Sequence, residues 1–296
     1  MNRFSISELS RFSGIQSHTI RIWEKRYNAL KPMRSEGNTR YYDGDQLRRL
    51  LNIVSLMKVD RKVSELARLP DEKLDKLVSG FTLDVKAHDH EEYFISQLIS
   101  AGMNFNEAHF EKLFSHCLLR YGMPEAYKKI LLPMLSRVGL MWSDSSIPPA
   151  AEHFISNLLR QKLYTAIDSL PPPTSTSSPW LLFLPEDELH EIGLLLAHYL
   201  IRQSGSRSVY LGANMPLSSL EDVIRSVQPG RILLFLVHND HPEQTGVYLE
   251  NVLKVANKNL FIAGHPGLLS QLGKNKKIKW LRTVDDLEKE IELNTV

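Results

Sequence analysis

The chain has a single cysteine and no long apolar run. Cys117 is alone among 296 residues, which excludes an intramolecular disulfide and argues against a metal site built from cysteines. It precedes Leu118 and Leu119 on a predicted helix, which favours a buried structural thiol. No apolar stretch reaches the length of a membrane span, and the first residues, MNRFSISEL, lack the apolar core of a signal peptide. We therefore expect a cytoplasmic protein with no membrane partner.

Motifs of common enzyme classes are also missing. The C-terminal third contains neither a glycine-rich phosphate loop nor a nucleophile elbow, so it does not indicate an enzyme. The charge, in contrast, is unevenly distributed. Residues 1–62 hold 13 Lys and Arg against 6 Asp and Glu, whereas the remainder holds 23 against 28. A basic N-terminal part on a mildly acidic body is typical of a protein that binds DNA with one end.

The first 30 residues predict two short helices joined by a tight turn. Apolar residues recur at helical spacing after Ser5, a predicted N-cap, and Gly14 allows the positive φ that such a turn often needs. Ser17 is the predicted N-cap of the second helix, which turns Ile20 and Trp23 inward. This is the helix-turn-helix arrangement, whose second helix enters the DNA major groove. Its remaining face suits phosphates and base edges and carries His18, Thr19, Arg21, Lys25 and Arg26.

A hairpin is predicted next, with turn residues at Pro32 and Gly37-Asn38 and a returning strand TRYY. Residues 1–78 resemble the winged helix-turn-helix of MerR-type transcription regulators, in which a TIRxWExRY-like helix precedes an NxRxY wing. Here the two motifs read TIRIWEKRY and NTRYY. Ile22 stands where many members carry a tyrosine, so one phosphate contact is not expected. The resemblance implies phosphate contacts by Arg21, Arg26, Arg34 and Arg40 and base-edge contacts by His18 and Thr19. Ser17, Asn38 and Tyr41 complete the predicted DNA-binding set.

Helices are predicted for the middle of the chain. One runs from Asp43, a predicted N-cap, to about residue 57, and a short one begins at Val63. Neither is long enough for a sustained coiled coil, so dimer contacts must come from elsewhere. Residues 79–90 break the pattern and predict a linker. Pro133 is expected to kink or split the third of the helical runs that follow. Those runs, at about 91–101, 105–121, 124–142 and 147–169, have short connections that imply a four-helix bundle.

The last third changes character after a second predicted linker, PPPTSTSSP at residues 171–179. Apolar runs WLLFLP, SVYLGAN, RILLFLV, NLFIAG and IKWL alternate there with helical segments at about 190–204, 217–227, 245–257, 267–272 and 284–293. This alternation predicts a parallel sheet with helices on both faces, and five strands suggest the flavodoxin-like doubly wound fold. We expect three domains: a winged helix-turn-helix at 1–78, a four-helix bundle at 90–170 and the flavodoxin-like domain at 180–296.

A carboxylate and a histidine follow the first of these strands. Glu188 lies two residues before His190, at the sheet edge where such folds bind ligands. A carboxylate on one ring nitrogen fixes the tautomer and raises the basicity of the other nitrogen for a metal. Gly193 would permit close backbone approach as the next helix begins. Taken alone, the string of acid, histidine and glycine favours an ordinary loop histidine.

In context the same string resembles cobalamin-binding domains, in which an Asp/Glu-x-His-x-x-Gly histidine coordinates cobalt. An LGxxxP motif after the second strand also matches, as LGANMP. Light-responsive, cobalamin-dependent MerR regulators place a helical bundle before this domain, with Trp, nine residues and then Glu-His over the cofactor's upper face. Trp142, Glu152 and His153 reproduce that spacing. The resemblance implies that His190 ligates cobalt and Glu188 orients it, and it adds Gly193, Gly212 and Gly264 to the predicted cofactor pocket.

The sequence departs from the cobalamin pattern at three places. The third strand is followed by no serine, and His265 replaces one glycine of a Gly-Gly pair, both where the cofactor's nucleotide tail lies. Ser143 stands where photoresponsive members carry a second histidine, so a light switch through that residue is not expected. Loop residues at the same sheet edge offer an alternative metal site without diagnostic spacing, namely His238, Asp240, His241, Glu243 and His265.

Together these patterns predict a MerR-like regulator that binds promoter DNA as a homodimer or homotetramer. Adenosyl- or methylcobalamin, in a cleft between bundle and sheet domain, would alter its assembly and DNA affinity. Two alternatives stay open. The sensor domain could have lost cobalamin and act through protein interaction or another ligand. Alternatively the chain could be a corrinoid carrier or methyltransferase subunit, against which the basic winged helix argues.

Overall fold

The computed structural model describes residues 3–35, 37–58, 61–79, 90–143, 147–237, 242–256, 259–264 and 278–293. The chain divides into two compact units, Met1–Leu158 and Leu159–Val296. The three predicted domain ranges stay predictions beside this division. The predicted linker at 79–90 lies almost wholly outside the described residues. Among the described residues, no helix combines the length and apolarity needed to cross a bilayer.

The first unit begins with two helices, as predicted. Helix α1 spans Ile6–Ser13, starts with a capping box between Ser5 and Glu8, and ends at Gly14, whose φ is 69°. Helix α2 spans Ser17–Tyr27.

The predicted N-cap of α2 is wrong by one residue. Gln16 holds the cap position and makes no side-chain cap hydrogen bond. The Ser17 hydroxyl instead donates to the Ile6 carbonyl of α1, 3.4 Å away. The Ser17 side chain therefore joins the two helices instead of capping one.

The wing is a short antiparallel hairpin. Strand β1 spans Met33–Arg34 and pairs with β2, Arg40–Tyr41. Phe4 extends the pairing by exchanging two backbone hydrogen bonds of 2.7 and 2.8 Å with Tyr42. Both rings are completely buried. The predicted hairpin is confirmed, and Phe4, two residues before α1, anchors it to the helices.

Helix α3 connects the winged helix to the helices that follow in the same unit. It spans Gly44–Met57 and is capped by Asp43, whose carboxylate accepts the Gln46 N–H at 2.9 Å, as predicted. Helices α4, Val63–Leu66, and α5, Asp71–Ser79, come next. Helix α6, His90–Met103, packs against α3, and the buried Gln97 amide donates to Asn52 Oδ1 at 3.1 Å and Ser55 Oγ at 2.8 Å. These paired polar groups fix how α6 lies on α3.

The remaining helices include two departures from regular α-helix. Helix α7, Glu107–Ala126, changes direction at Gly122, whose φ is 70°. A π-helical segment, Tyr127–Leu131, leads into α8, Leu132–Ser143, so the third predicted run is not one regular helix. Pro133 lacks the N–H that would bind the carbonyl four residues earlier, which a wider turn accommodates. Helix α9, Pro149–Asp168, begins with a proline, which the first turn of a helix tolerates. Cys117 is fully buried, as predicted.

The second unit contains the predicted parallel sheet. Its strands are β3 Trp180–Pro185, β4 Ser208–Met215, β5 Arg231–Leu236, β6 Asn259–Gly264 and β7 Ile278–Leu281. All pairs are parallel, in the order β4-β3-β5-β6-β7. This is the flavodoxin-like order, which confirms the predicted fold class. Every residue of β3 is buried, as expected for a central strand covered on both faces.

Helices cover the sheet in two pairs. Helix α10, Ile192–Gln203, packs with α13, Val284–Glu292, and α11, Leu217–Val227, packs with α12, Pro242–Ala256. The predicted helix at 267–272 lies outside the described residues. The chain reverses direction across the sheet at β3, with β4 on one side and β5 on the other. In doubly wound sheets, ligands bind beside the carboxyl ends of the strands at such a point. The predicted linker at 171–179 is tied to this unit, since the Thr174 and Ser175 N–H groups both donate to the Gly205 carbonyl.

Candidate functional site

The exposed face of α2 holds the predicted DNA-contacting side chains. His18 and three basic residues are exposed, whereas Ser17 and Thr19 are half-buried. The Thr19 hydroxyl lies 3.3 Å from His18 Nε2. Ile22, which replaces the tyrosine of many similar sequences, is 45% exposed. The basic members of this face are Arg21, Lys25 and Arg26.

Two arginines of the wing lie directly opposite each other. Arg34 and Arg40 are register partners, an arrangement that is unfavourable for like charges unless they have counter-charges. Arg40 pairs with Glu24 of α2 at 3.1 Å, and Arg34 donates to the Asn38 side chain. The second oxygen of Glu24 accepts from the Tyr42 hydroxyl at 2.8 Å. Burial, and then this hydrogen bond, raise the pKa of Tyr42 well above its usual value. Glu24 thus connects wing and recognition helix.

Tyr41 lies on the other face of the wing. Successive strand residues alternate in direction, so Tyr41 faces away from Arg40. Its ring lies under the Arg3 guanidinium, 4.7 Å from the ring centroid. Asn38 adopts a left-handed conformation with φ of 59°, which suits a hairpin turn. DNA contacts by Ser17, Asn38 and Tyr41 stay predictions.

In the second unit, Glu188 is the centre of the predicted ligand loop. Its side chain is 5% exposed, while that of His190 is 52% exposed. Glu188 Oε1 accepts the His190 backbone N–H at 3.0 Å and lies 2.6 Å from His190 Nδ1. Glu188 Oε2 accepts the backbone N–H of Val237 at 2.8 Å. Val237 follows β5, so the carboxylate holds together two loops at the same edge of the sheet.

This arrangement determines what the imidazole of His190 can do. An ionised carboxylate can only accept hydrogen bonds. His190 Nδ1 therefore carries the hydrogen and donates a hydrogen bond to Glu188. That tautomer places the lone pair on Nε2, the nitrogen that coordinates a metal when a carboxylate engages Nδ1. The half-exposed ring is therefore chemically suited to serve as one ligand of a metal held by a larger cofactor.

The His190 loop is supported by the backbone that follows β5. No serine stands there, and the Val237 N–H donates to Glu188. The loop is supported from β4 as well. The Asn214 N–H donates to the Glu188 carbonyl at 3.3 Å, and the Asp187 N–H donates to the Asn214 side chain at 3.0 Å. The residues present thus fit a histidine-coordinated cofactor.

Three glycines predicted for the pocket lie at this end of the sheet, in contact with neighbouring elements. A Cβ on Gly193 would stand 2.7 Å from the Phe235 ring, and one on Gly264 would stand 1.9 Å from the Leu236 carbonyl oxygen. Gly212 has a φ of 81°, which favours glycine. Close packing between strands and loops accounts for each glycine, and cofactor contacts at these positions stay predictions.

The predicted upper-face residues belong to the first unit. Trp142, near the end of α8, is 46% exposed. In the first turns of α9, His153 Nδ1 lies 3.3 Å from Glu152 Oε2, and Ser156 donates to Glu152 Oε1 at 2.5 Å. The structure therefore brings Glu152 and His153 into contact and holds Glu152 in place. Contact of Trp142 with a cofactor stays a prediction.

The alternative metal site is outside what the structure describes. His238, Asp240, His241 and His265 fall in the gaps, and the Glu243 side chain is not described. Within the described ranges no three metal-binding side chains come together.

Sequence reasoning missed the residues that surround the His190 loop. Val237 contributes a backbone amide, which no side-chain pattern can indicate. Glu191 accepts the Tyr210 hydroxyl at 2.6 Å, and, after burial, the nearby Glu191 carboxylate raises the pKa of Tyr164 of α9. The only available signal was the presence of polar aromatic residues in β4 and α9, and it does not single out these two.

Two family descriptions match this chain. Residues 4–73 match the MerR HTH family regulatory protein, and residues 94–166 match the B12 binding domain. The first covers α1 to α5 in part, and the second covers α6 to α9. Both matches agree with the resemblance stated from the motifs.

Curated relatives have the same organisation. The HTH-type transcriptional repressor CarA of Myxococcus xanthus is 26% identical over 284 residues, covering 93% of this chain and 88% of the relative. The HTH-type transcriptional repressor CarH of the same organism is 26% identical over 229 residues, covering 76% of each. This chain is homologous to both.

A solved structure shares the fold. The Methanosarcina barkeri monomethylamine corrinoid protein matches with a TM-score of 0.53 and 14% identity, covering 69% of this chain and 99% of that chain. At this identity the likeness shows the fold alone.

Proposed function

Because this chain is a MerR-type DNA-binding regulator with a B12-binding domain, we propose that cobalamin bound at His190 controls its affinity for DNA. The observation that carries the proposal is the buried Glu188 carboxylate, which holds the His190 ring by its Nδ1 nitrogen. A carboxylate in this position is the ordinary support of a metal-binding histidine.

On the DNA side, the basic face of α2 and the wing bind the duplex. Four arginines neutralise phosphates, and His18 and Thr19 contact base edges in the major groove. The opposed Arg34 and Arg40 support this assignment, since Glu24 supplies one negative charge for the two guanidinium groups and a phosphate supplies another. The partner is promoter DNA, bound by a cytoplasmic homodimer or homotetramer.

On the ligand side, His190 would hold cobalamin in its adenosyl or methyl form, with Glu188 fixing the imidazole ring. The cofactor would supply a cobalt ion that exchanges ligands. Trp142, Glu152 and His153 would contribute further side chains that contact the cofactor. Since a ligand shifts an equilibrium only by binding two states differently, cobalamin must bind one assembly state more tightly than the other. We propose that the chain represses transcription, which is the activity in the names of both curated relatives.

Visible absorbance tests this function. The full chain is incubated with adenosylcobalamin and separately with methylcobalamin in the dark, and unbound cofactor is removed. We expect stoichiometric colour with the spectrum of cobalamin coordinated by a protein imidazole, and its loss in His190→Ala. A colourless wild type refutes the proposal and favours a sensor that has lost cobalamin.

The other alternative is a corrinoid carrier or methyltransferase subunit. The fold shared with a corrinoid protein motivates it, and the basic winged helix opposes it. Selection from a random duplex library separates them, because a carrier enriches no sequence whereas the regulator enriches one.

A further inference from the structure

One partly buried polar cluster of the second unit lies beside His190. Glu191 immediately follows the proposed cobalt ligand, and its carboxylate accepts the Tyr210 hydroxyl of β4 at 2.6 Å. Burial, and then the nearby Glu191 carboxylate, raise the pKa of Tyr164 of α9, so this hydroxyl lies close to the same carboxylate. Three separate elements thus converge on one carboxylate: the start of α10, strand β4 and helix α9.

The cluster is packed as well as hydrogen-bonded. The Tyr210 ring stacks on His198 of α10, with centroids 4.9 Å apart and planes 14° from parallel. Gly212, two residues after Tyr210, leaves room for the carboxylate, because a Cβ there would stand 3.3 Å from Glu191 Oε1. The ring stacking and the hydrogen bonds both restrict the Glu191 side chain.

The backbone around His190 is therefore held at two points. On the N-terminal side, Glu188 is fixed by Val237 and Asn214. On the C-terminal side, Glu191 is fixed by the Tyr210 hydroxyl, and its carbonyl accepts the Leu195 N–H in the first turn of α10. The ring of His190 is half-exposed, so these flanking contacts decide where it stands.

We propose that Glu191, Tyr210 and Tyr164 form a clamp that positions His190 for its ligand. The proposal rests on the function proposed above, and it assigns roles to three residues outside the acid-histidine-glycine string. Because Tyr164 belongs to α9, the clamp also makes ligand binding at His190 dependent on that helix. Glu191 and the tyrosines are positioning residues, since none of them coordinates the metal.

Two variants each change one polar group of the clamp and leave the ring or the chain length intact. Tyr210→Phe removes the donor to Glu191, and Glu191→Gln removes the charge. Tyr199→Phe is the matched control, because Tyr199 lies on α10 and its hydroxyl contacts Gln203 instead of the clamp. Glu191→Asp, which keeps the carboxylate on a shorter chain, tests partial rescue.

The first readout needs no cofactor. Amide hydrogen exchange of residues 189–193 in the cofactor-free chain reports how firmly the loop is held. We expect about tenfold faster exchange in Tyr210→Phe and Glu191→Gln and no change in Tyr199→Phe, since weakening one hydrogen bond lowers the local stability of the loop. Wild-type exchange in both clamp variants overturns the inference. If Tyr210→Phe fails to fold, the half-exposed Tyr164→Phe takes its place.

The second readout is a methylcobalamin titration in the dark, with the visible spectrum reporting whether a protein imidazole coordinates cobalt. We expect affinity about tenfold weaker and a smaller imidazole-coordinated fraction in the clamp variants. If the wild type binds cobalamin and the clamp variants bind it with the same affinity and spectrum, the clamp is overturned and the proposed function stands. Colourless wild type overturns the proposed function, while hydrogen exchange still decides whether the clamp holds the loop.

Discussion

The recognition helix and the His190 loop differ in where their charges lie. On α2 the basic side chains are exposed, so they can attract the phosphates of DNA by their charge. At the loop the decisive charge, Glu188, is buried and acts on one neighbouring ring. Exposed charges tolerate substitution singly, because each contributes a part of a shared field. A buried carboxylate with fixed partners does not, because removing it leaves those partners unsatisfied.

Removing the exposed arginines of the wing is expected to have the largest effect. Replacing both Arg34 and Arg40 with Gln is expected to weaken DNA binding by roughly 10- to 100-fold and to reduce the salt slope by about 2, one unit for each phosphate lost. Fluorescence anisotropy over a series of salt concentrations measures both. Arg225→Gln, which removes an exposed, paired arginine of the other unit, is the control. An unchanged salt slope in the double variant contradicts the phosphate assignment.

Substitution of the buried Glu188 is the corresponding test at the His190 loop. Glu188→Gln is expected to weaken cobalamin binding by about 10- to 100-fold, because the amide cannot hold both His190 and Val237 as an ionised carboxylate does. Equilibrium dialysis of methylcobalamin in the dark measures it. Glu186→Gln changes an exposed carboxylate of the same loop and should bind like wild type. Equal losses in the two variants would mean that charge, and not the hydrogen bonds, matters.

Gly264 tests whether the ligand edge of the sheet is as tightly built as the distances indicate. Gly264→Ala places a methyl group against the Leu236 carbonyl and should cost about 1–3 kcal/mol in the free energy of unfolding. Gly246→Ala, in open space on α12, should instead stabilise by about 0.5–1 kcal/mol. Chemical denaturation compares them, and a neutral Gly264→Ala would show that β6 can move away from β5.

The smallest expected effect concerns His198, which stacks on Tyr210. Burial, and then Arg202, lower the pKa of His198 to about 4 from an ordinary 6.5. Between these values the unfolded chain binds the proton and the folded chain does not, so stability falls as pH decreases through this window. His198→Phe keeps a ring and removes the titration. Its melting temperature should therefore decline less than that of wild type from pH 7 to 4.5, and parallel curves would contradict this.

Residue patterns predicted the elements better than the contacts between them. Helical periodicity predicted α1 and α2, and the alternation of strands and helices predicted a parallel, doubly wound sheet, because both signals are local. The hydroxyl of Ser17 was misassigned because no local pattern distinguishes capping its own helix from bonding to α1. Val237 lies 49 positions from Glu188 and contributes only a backbone N–H, so no motif could predict that contact.

The clamp residues escaped prediction for a related reason. Tyr164, Glu191 and Tyr210 come from three elements, and each is unremarkable in its own segment. Only the fold brings them together. The string around His190 was recognised because its members lie within six residues, whereas the groups that hold it are distributed over the whole unit.

The central claim is that ligand at His190 changes DNA affinity. The most direct measurement is the affinity for a duplex selected from a random library, with and without adenosylcobalamin in the dark, in wild type and His190→Ala. We predict that cobalamin shifts the wild-type affinity at least tenfold, about 1.4 kcal/mol of coupling, and leaves the variant unchanged. The same affinity with and without cofactor in wild type, or an equal shift in the variant, would contradict the claim.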